Sequence, residues 1–164
     1  MGIVFARFQL RNIPPDTPRL SPERLGIRYC RVVEVYDGDT CTIAVAYSTG
    51  CCRPHHATLR VRMLDYDSPE MKPARKYGDG AMRDETFRQR EAANAITERD
   101  RFAALTKDRI LRIEYNTPVY DNFGRLLVRL AYPDGRTINN IMMENPQNIP
   151  FDKKADRVRI RDKL

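Results

Sequence analysis

The chain has 164 residues, 41% of them hydrophobic and 31% charged. That mixture suits one globular domain, able to remove roughly 70% of its unfolded surface from water, and excludes a fibrous or disordered polymer. No run of apolar residues approaches the ~18 needed to cross a bilayer, and the formal net charge of +7 favours a polyanionic partner, because Lys and Arg concentrate phosphates in their field.

Residues 1–27 carry Pro14, Pro15, Pro18 and Pro22, which remove backbone donors and fix local turns, so an irregular arm is expected there. The opening MGIVFARFQLRN has too short an apolar run and too early an arginine for a secretion signal; an intracellular, monomeric protein without a membrane anchor is the expectation. Residues 29–36 form a β-rich run that ends at Asp37-Gly38, and a second strand follows over 40–47. After a polar connection, 58–64 alternates Leu59, Val61 and Met63 against Arg60 and Arg62, which predicts a third strand with both arginines on one face. Residues 65–80 hold Pro69, Pro73, Gly78 and Gly80 and read as loop. The stretch 84–108 lacks Pro and Gly, and Ala92, Ala95, Ile96, Phe102 and Ala103 fall near helical spacing, predicting one long helix with an apolar core stripe. Strands over 110–115 and 126–132 flank a loop at 116–125, and a short helix over 137–144 is stopped by Pro146.

Three strands, a helix, two strands and a helix make an α+β protein. The order suits a five-stranded antiparallel β-barrel of the oligonucleotide-binding (OB-fold) type, with the long helix across one end. The domain is placed at 28–146, between the arm of 1–27 and a basic tail of 147–164.

Three clusters stand at turns and strand ends: Asp37-Gly38-Asp39-Thr40; Arg62 through Asp65, Asp67, Ser68, Pro69 and Glu70; and Asp121-Asn122-Phe123-Gly124-Arg125. Hard carboxylate oxygens at turns serve a cation such as calcium, which takes six to eight oxygen ligands. A planar guanidinium grips phosphate with two parallel hydrogen bonds. Phosphodiester cleavage needs both, together with a base for the attacking water.

VEVYDGDT, RMLDYDSPE and YDNFGRLL, in that order and around a helix, resemble the three signature segments of the staphylococcal nuclease (thermonuclease-like) family over roughly residues 29–145. The resemblance implies a calcium-dependent nuclease that hydrolyses DNA or RNA with little sequence preference, leaving 5′-hydroxyl and 3′-phosphate ends. It implies Asp39 and Asp67 as carboxylate ligands of Ca2+, with the backbone carbonyl of Ser68 as a third oxygen and Asp37 outside that shell. Glu70 would activate the water, as base or as orienting group, and Arg62 and Arg125 would stabilise the phosphate. Asp65 has no assigned role. The family's substrate-stacking tyrosines near the C-terminus have no counterpart in this chain's last 21 residues, and Tyr120, Phe123 and Phe151 are the aromatic candidates nearby.

Two other readings compete. A catalytically inactive module on this fold would bind nucleic acid or protein, although an eroded site should have lost several of the five residues Asp39, Arg62, Asp67, Glu70 and Arg125. Cys51-Cys52 with His55-His56 could suggest zinc, but CC-x2-HH is not a structural zinc spacing and adjacent ligands rarely meet on one ion. Cys41 alternates with Ile43 and Val45 and reads as core.

Overall fold

A computed structural model describes residues 26–48, 55–77 and 80–151. The N-terminal arm, Cys51-Cys52 and the basic segment from Lys153 lie outside the described residues.

Five strands close into a barrel in the order β1-β2-β3-β6-β5: β1 (Tyr29–Val35), β2 (Thr40–Tyr47), β3 (His55–Met63), β5 (Ile110–Tyr120) and β6 (Leu126–Ala131). A short strand β4 (Tyr66–Asp67) pairs with β7 (Ile149–Pro150) outside it. The long helix α1 (Glu85–Thr106) and the short α2 (Ile138–Met143) complete the α+β architecture, which is consistent with an OB-fold. No helix among the described residues is long and apolar enough to span a membrane.

Alternation builds the barrel core. Cys41, Ile43 and Val45 on β2, Val61 and Met63 on β3, and Leu126, Val128 and Leu130 on β6 all point inward and are buried. Phe102 from α1 and Ile138 and Met142 from α2 join the same cluster. Each buried side chain of this size contributes about 1.5–3 kcal/mol of transfer free energy.

One pair departs from the antiparallel expectation. β3 and β6 run parallel, with Val61 opposite Leu126 and Met63 opposite Val128. The chain leaves β3, crosses through α1 and β5, and returns by the β5–β6 hairpin, so β6 arrives beside β3 in the same direction. The strand predicted to end at 115 continues to Tyr120, and the register shifts between Tyr115 and Tyr120. Pro118 falls within that stretch, and a register irregularity is where a strand admits proline.

Helix α1 is unbroken and starts at Asp84, whose carboxylate accepts from Thr86 N–H at 2.7 Å. Its inward stripe is Glu91, Ala95, Glu98, Phe102 and Thr106. The expected apolar stripe is therefore only half right, since Ile96 is 46% exposed. Two glutamates displace it because each has buried partners. Glu91 pairs with Arg83, and Glu98 accepts from Asn145 and Asn148. The chain stays packed beyond Pro146, with Asn148 and Ile149 buried and Phe151 N–H donating to the carbonyl of Asp65 at 2.8 Å.

Asn139 clamps the barrel to the first site loop. Its Nδ2 donates to the Leu64 carbonyl at 2.6 Å and its Oδ1 accepts from Leu130 N–H at 3.2 Å, with 1% of the residue exposed. Asn139→Ala strands both backbone groups, and should cost about 2–4 kcal/mol. Urea unfolding checks this as a lower midpoint at unchanged slope; a loss under about 0.5 kcal/mol would mean that the clamp contributes nothing beyond ordinary surface polarity.

Candidate active site

Residues Tyr36 to Thr40 turn β1 into β2. Tyr36 N–H donates to the Thr40 carbonyl at 3.0 Å, and Asp37 Oδ1 accepts from Asp39 N–H at 3.1 Å. The second bond closes a tight Asx turn. Gly38 at its apex is required by space. A Cβ there would stand 2.8 Å from Ser68 Cβ and 3.0 Å from Glu98 Cβ, so only glycine lets the turn seat against β4 and α1.

On the other side, Asp65 takes a left-handed conformation with φ of 75°, which Asp tolerates better than most residues. Its carboxylate is gripped by Arg129, with Nη2 at 2.8 Å from Oδ1. The kink sends Tyr66 inward and turns Asp67 and Ser68 toward the Asp37–Thr40 turn. Tyr66 Oη donates to the Gly38 carbonyl at 2.6 Å, and Ser68 N–H donates to Asp39 Oδ2 at 3.1 Å.

Asp39 and Asp67, each 3% exposed, therefore converge. Arg62 stands opposite Thr40 across β2–β3 and sends Nη2 between them, 2.8 Å from Asp39 Oδ2 and in close contact with Asp67 Oδ1. Burial pushes the Asp39 carboxyl up to about 7; Arg62 opposes the rise and the charges of Asp37 and Asp67 add to it.

The third cluster closes the site. Gly124, with φ of 75°, lets the hairpin fold back. Asp121 Oδ1 accepts from the N–H groups of Phe123 and Arg125, both at 2.9 Å, and its Oδ2 accepts from Arg125 Nε at 2.6 Å. Burial works against the Asp121 carboxylate, but the backbone and side-chain hydrogen bonds of Arg125 outweigh it and lower the pKa. Arg125 Nη1 then reaches Thr40 Oγ1 at 3.2 Å, while that hydroxyl donates to Asp39 Oδ1 at 2.9 Å.

Between these walls lies a cleft of about 730 Å³, lined by Asp37, Arg60, Arg62, Asp67, Glu70, Leu127, the Tyr120–Arg125 hairpin and Phe151. Glu70 is exposed to it. The loop carrying Glu70 is tied down from below, where its backbone N–H donates to Glu91 Oε1 at 3.4 Å and Glu91 pairs with the buried Arg83.

Asp39, Arg62 and Asp67 are thus in direct contact, Ser68 meets Asp39 through its backbone, and Glu70 and Arg125 face the same cleft. Residues that sequence reasoning left without a role complete the frame: Thr40, Asp121, Arg83, Glu91 and Asn139. Thr40 and Asp121 already stood inside the motifs; the others carried no local signal.

Among the described residues no group of three or more His, Cys, Asp or Glu side chains gathers as a metal site. A cation here would rest on two carboxylates, with backbone carbonyl and water completing its shell. Carboxylate oxygens are donors for a hard divalent ion, and both carboxylates already meet on one positively charged nitrogen. His55 and His56 are exposed on β3, His55 stacking on Tyr47 at 5.6 Å. Burial pushes the Cys30 thiol up to about 12 and raises Cys41 likewise, so neither is a ready nucleophile.

Neither the family models nor the curated proteins give a match to this chain.

The seat of Gly38 is testable. Gly38→Ala forces Ser68 or Glu98 aside and should cost about 1–3 kcal/mol. In a double-mutant cycle with Ser68→Gly, which removes the nearer Cβ, the two changes should couple by at least about 0.5 kcal/mol. Strict additivity in the denaturation free energies would show that the turn has room elsewhere.

Proposed function

We propose that the chain is a calcium-dependent phosphodiesterase of the staphylococcal nuclease type, hydrolysing DNA or RNA. The observation that carries this reading is the convergence of Asp39 and Asp67 on one cationic nitrogen, with Glu70 and Arg125 on the same cleft. Carboxylate and guanidinium chemistry side by side is what phosphodiester hydrolysis asks of a protein.

In this reading Asp39, Asp67 and the Ser68 carbonyl hold Ca2+. Calcium held there would supply charge neutralisation to the phosphate. Glu70, exposed and with its loop pinned to Glu91, accepts the proton of the attacking water, a role worth typically 10²–10⁴-fold in rate. Arg125 is held along its Nε edge by Asp121, which fixes where the rest of its fork points. Donation from Arg125 and Arg62 to the phosphate oxygens stabilises the charge that builds as the nucleophile enters. Backbone recognition of this kind reads phosphates rather than bases, so sequence preference is weak and affinity falls with salt.

The test is to incubate plasmid DNA and single-stranded RNA with the protein in calcium, in magnesium and in chelator. Calcium-dependent cutting is expected, with Glu70→Gln slower by about 10²-fold or more. Calcium should also raise the thermal midpoint of the wild type by mass action, and Asp39→Asn should abolish that rise. Binding of nucleic acid without cutting under any metal would replace the enzyme by the inactive binding module.

A further inference from the structure

Three arginines line the cleft, and their charges are compensated differently. Arg62 is shared by Asp39 and Asp67. Arg125 is paired with Asp121. Arg60 has no carboxylate partner among the described residues, yet it is not a loose surface charge. Its guanidinium lies over the Tyr36 ring at 4.5 Å from the centroid, well within cation–π reach. The ring is itself held, because Tyr36 Oη donates to Glu34 Oε2 at 2.6 Å and lies 2.9 Å from Thr42 Oγ1. Thr42 faces Arg60 directly in the β2–β3 register. Two strands therefore fix the prop, and the prop fixes the arginine at the rim of the cleft.

Arg60 and Arg62 are two residues apart on β3, so they share a face with their Cα atoms about 6.6 Å apart. That is comparable to one nucleotide step along an extended single strand. A cation that is oriented, without a paired carboxylate among the described residues, and two residues along the strand from Arg62 is suited to the neighbouring phosphate.

We infer that Arg60, propped on Tyr36, is a second phosphate-binding subsite that engages the internucleotide phosphate next to the one held at Arg62 and Arg125. The inference rests on the proposed nucleic-acid reading of the cleft and adds a length requirement to it. A strand with at least two phosphates fills both positions; a dinucleoside monophosphate fills one. The planar fork of Arg60 gives directional bonds to phosphate oxygens, and the Tyr36 face keeps the side chain from sampling other rotamers before binding.

The test is equilibrium binding in calcium of a labelled single-stranded pentanucleotide, in a Glu70→Gln background so that the strand is bound rather than cut. Arg60→Gln should weaken binding about three- to tenfold at low salt and make the slope of log K against log salt shallower by about 0.7, the loss of one contact on a single strand. Arg60→Lys should keep the slope, and Tyr36→Leu should weaken binding without changing it. A dinucleoside monophosphate, measured as a competitor, should bind equally to Arg60→Gln and its parent. An unchanged slope and affinity in Arg60→Gln would overturn the subsite while leaving the nuclease reading intact. Equal losses on both ligands would overturn it too, by placing Arg60 on the first phosphate. A wild type that binds strands with the Arg60 dependence but cuts nothing would instead sink the nuclease reading alone.

Discussion

Everything at the cleft depends on the docking of the Asp37–Thr40 turn against Tyr66–Ser68. Tyr66 Oη on the Gly38 carbonyl and Ser68 N–H on Asp39 Oδ2 are the two bonds of that contact, and the missing Cβ at Gly38 is what allows it. Its product is two nearly buried carboxylates facing each other. Desolvation and mutual repulsion both penalise such a pair, and the Arg62 guanidinium between them offsets part of that penalty. A fold optimised for stability alone would have put apolar side chains here. Local discomfort of this kind is what functional sites carry at the expense of stability.

The support for that discomfort comes from polar groups on a helix that would otherwise be a plain core element. Glu98 sits directly behind Gly38 and is held by amides from Asn145 and Asn148. Glu91, one face repeat earlier, holds the Glu70 loop and is itself held by Arg83, whose Nη1 also donates to the Ala74 carbonyl at 3.3 Å. A buried pair such as Arg83–Glu91 is weak evidence for stability, since desolvation consumes much of the Coulombic gain. Its geometry is more informative than its energy. It converts a proline-containing loop into a positioned one, and it couples α1 to the same cleft that the barrel strands form.

How much of this was legible in the sequence follows from the range of the interactions involved. The strands of the barrel declare themselves by alternation, and the helix by the absence of Pro and Gly, because both signals are local. Asp39, Arg62, Asp67 and Arg125 stand in turn and strand-end segments whose residue types are themselves the signal, so candidate positions could be named before any fold was known. Glu91 and Glu98 could not, because a glutamate on a helix is ordinarily solvated; only partners 8 or more positions away, at Arg83, Asn145 and Asn148, make burial tolerable. The parallel β3–β6 closure and the β4–β7 pair are likewise properties of topology, and two-residue strands leave no periodicity to read.

The charge of the chain as a whole is a poor guide to the charge of its cleft. The formal +7 invites a simple account in which a basic protein attracts a polyanion. At the cleft the balance is reversed: Asp37, Asp39, Asp67, Glu70 and Asp121 outnumber Arg60, Arg62 and Arg125. At a few ångströms such local charges outweigh distant surface lysines, which salt screens over about 10 Å. In the proposed reading, a phosphate approaching this arrangement meets more carboxylates than guanidiniums, an imbalance that a divalent cation on Asp39 and Asp67 would offset. The same imbalance gives Arg60 its weight, because the two other guanidiniums are already committed to carboxylates. In the proposed reading, global charge serves encounter with a polyanion, while discrimination at the site turns on which guanidiniums still have charge to offer.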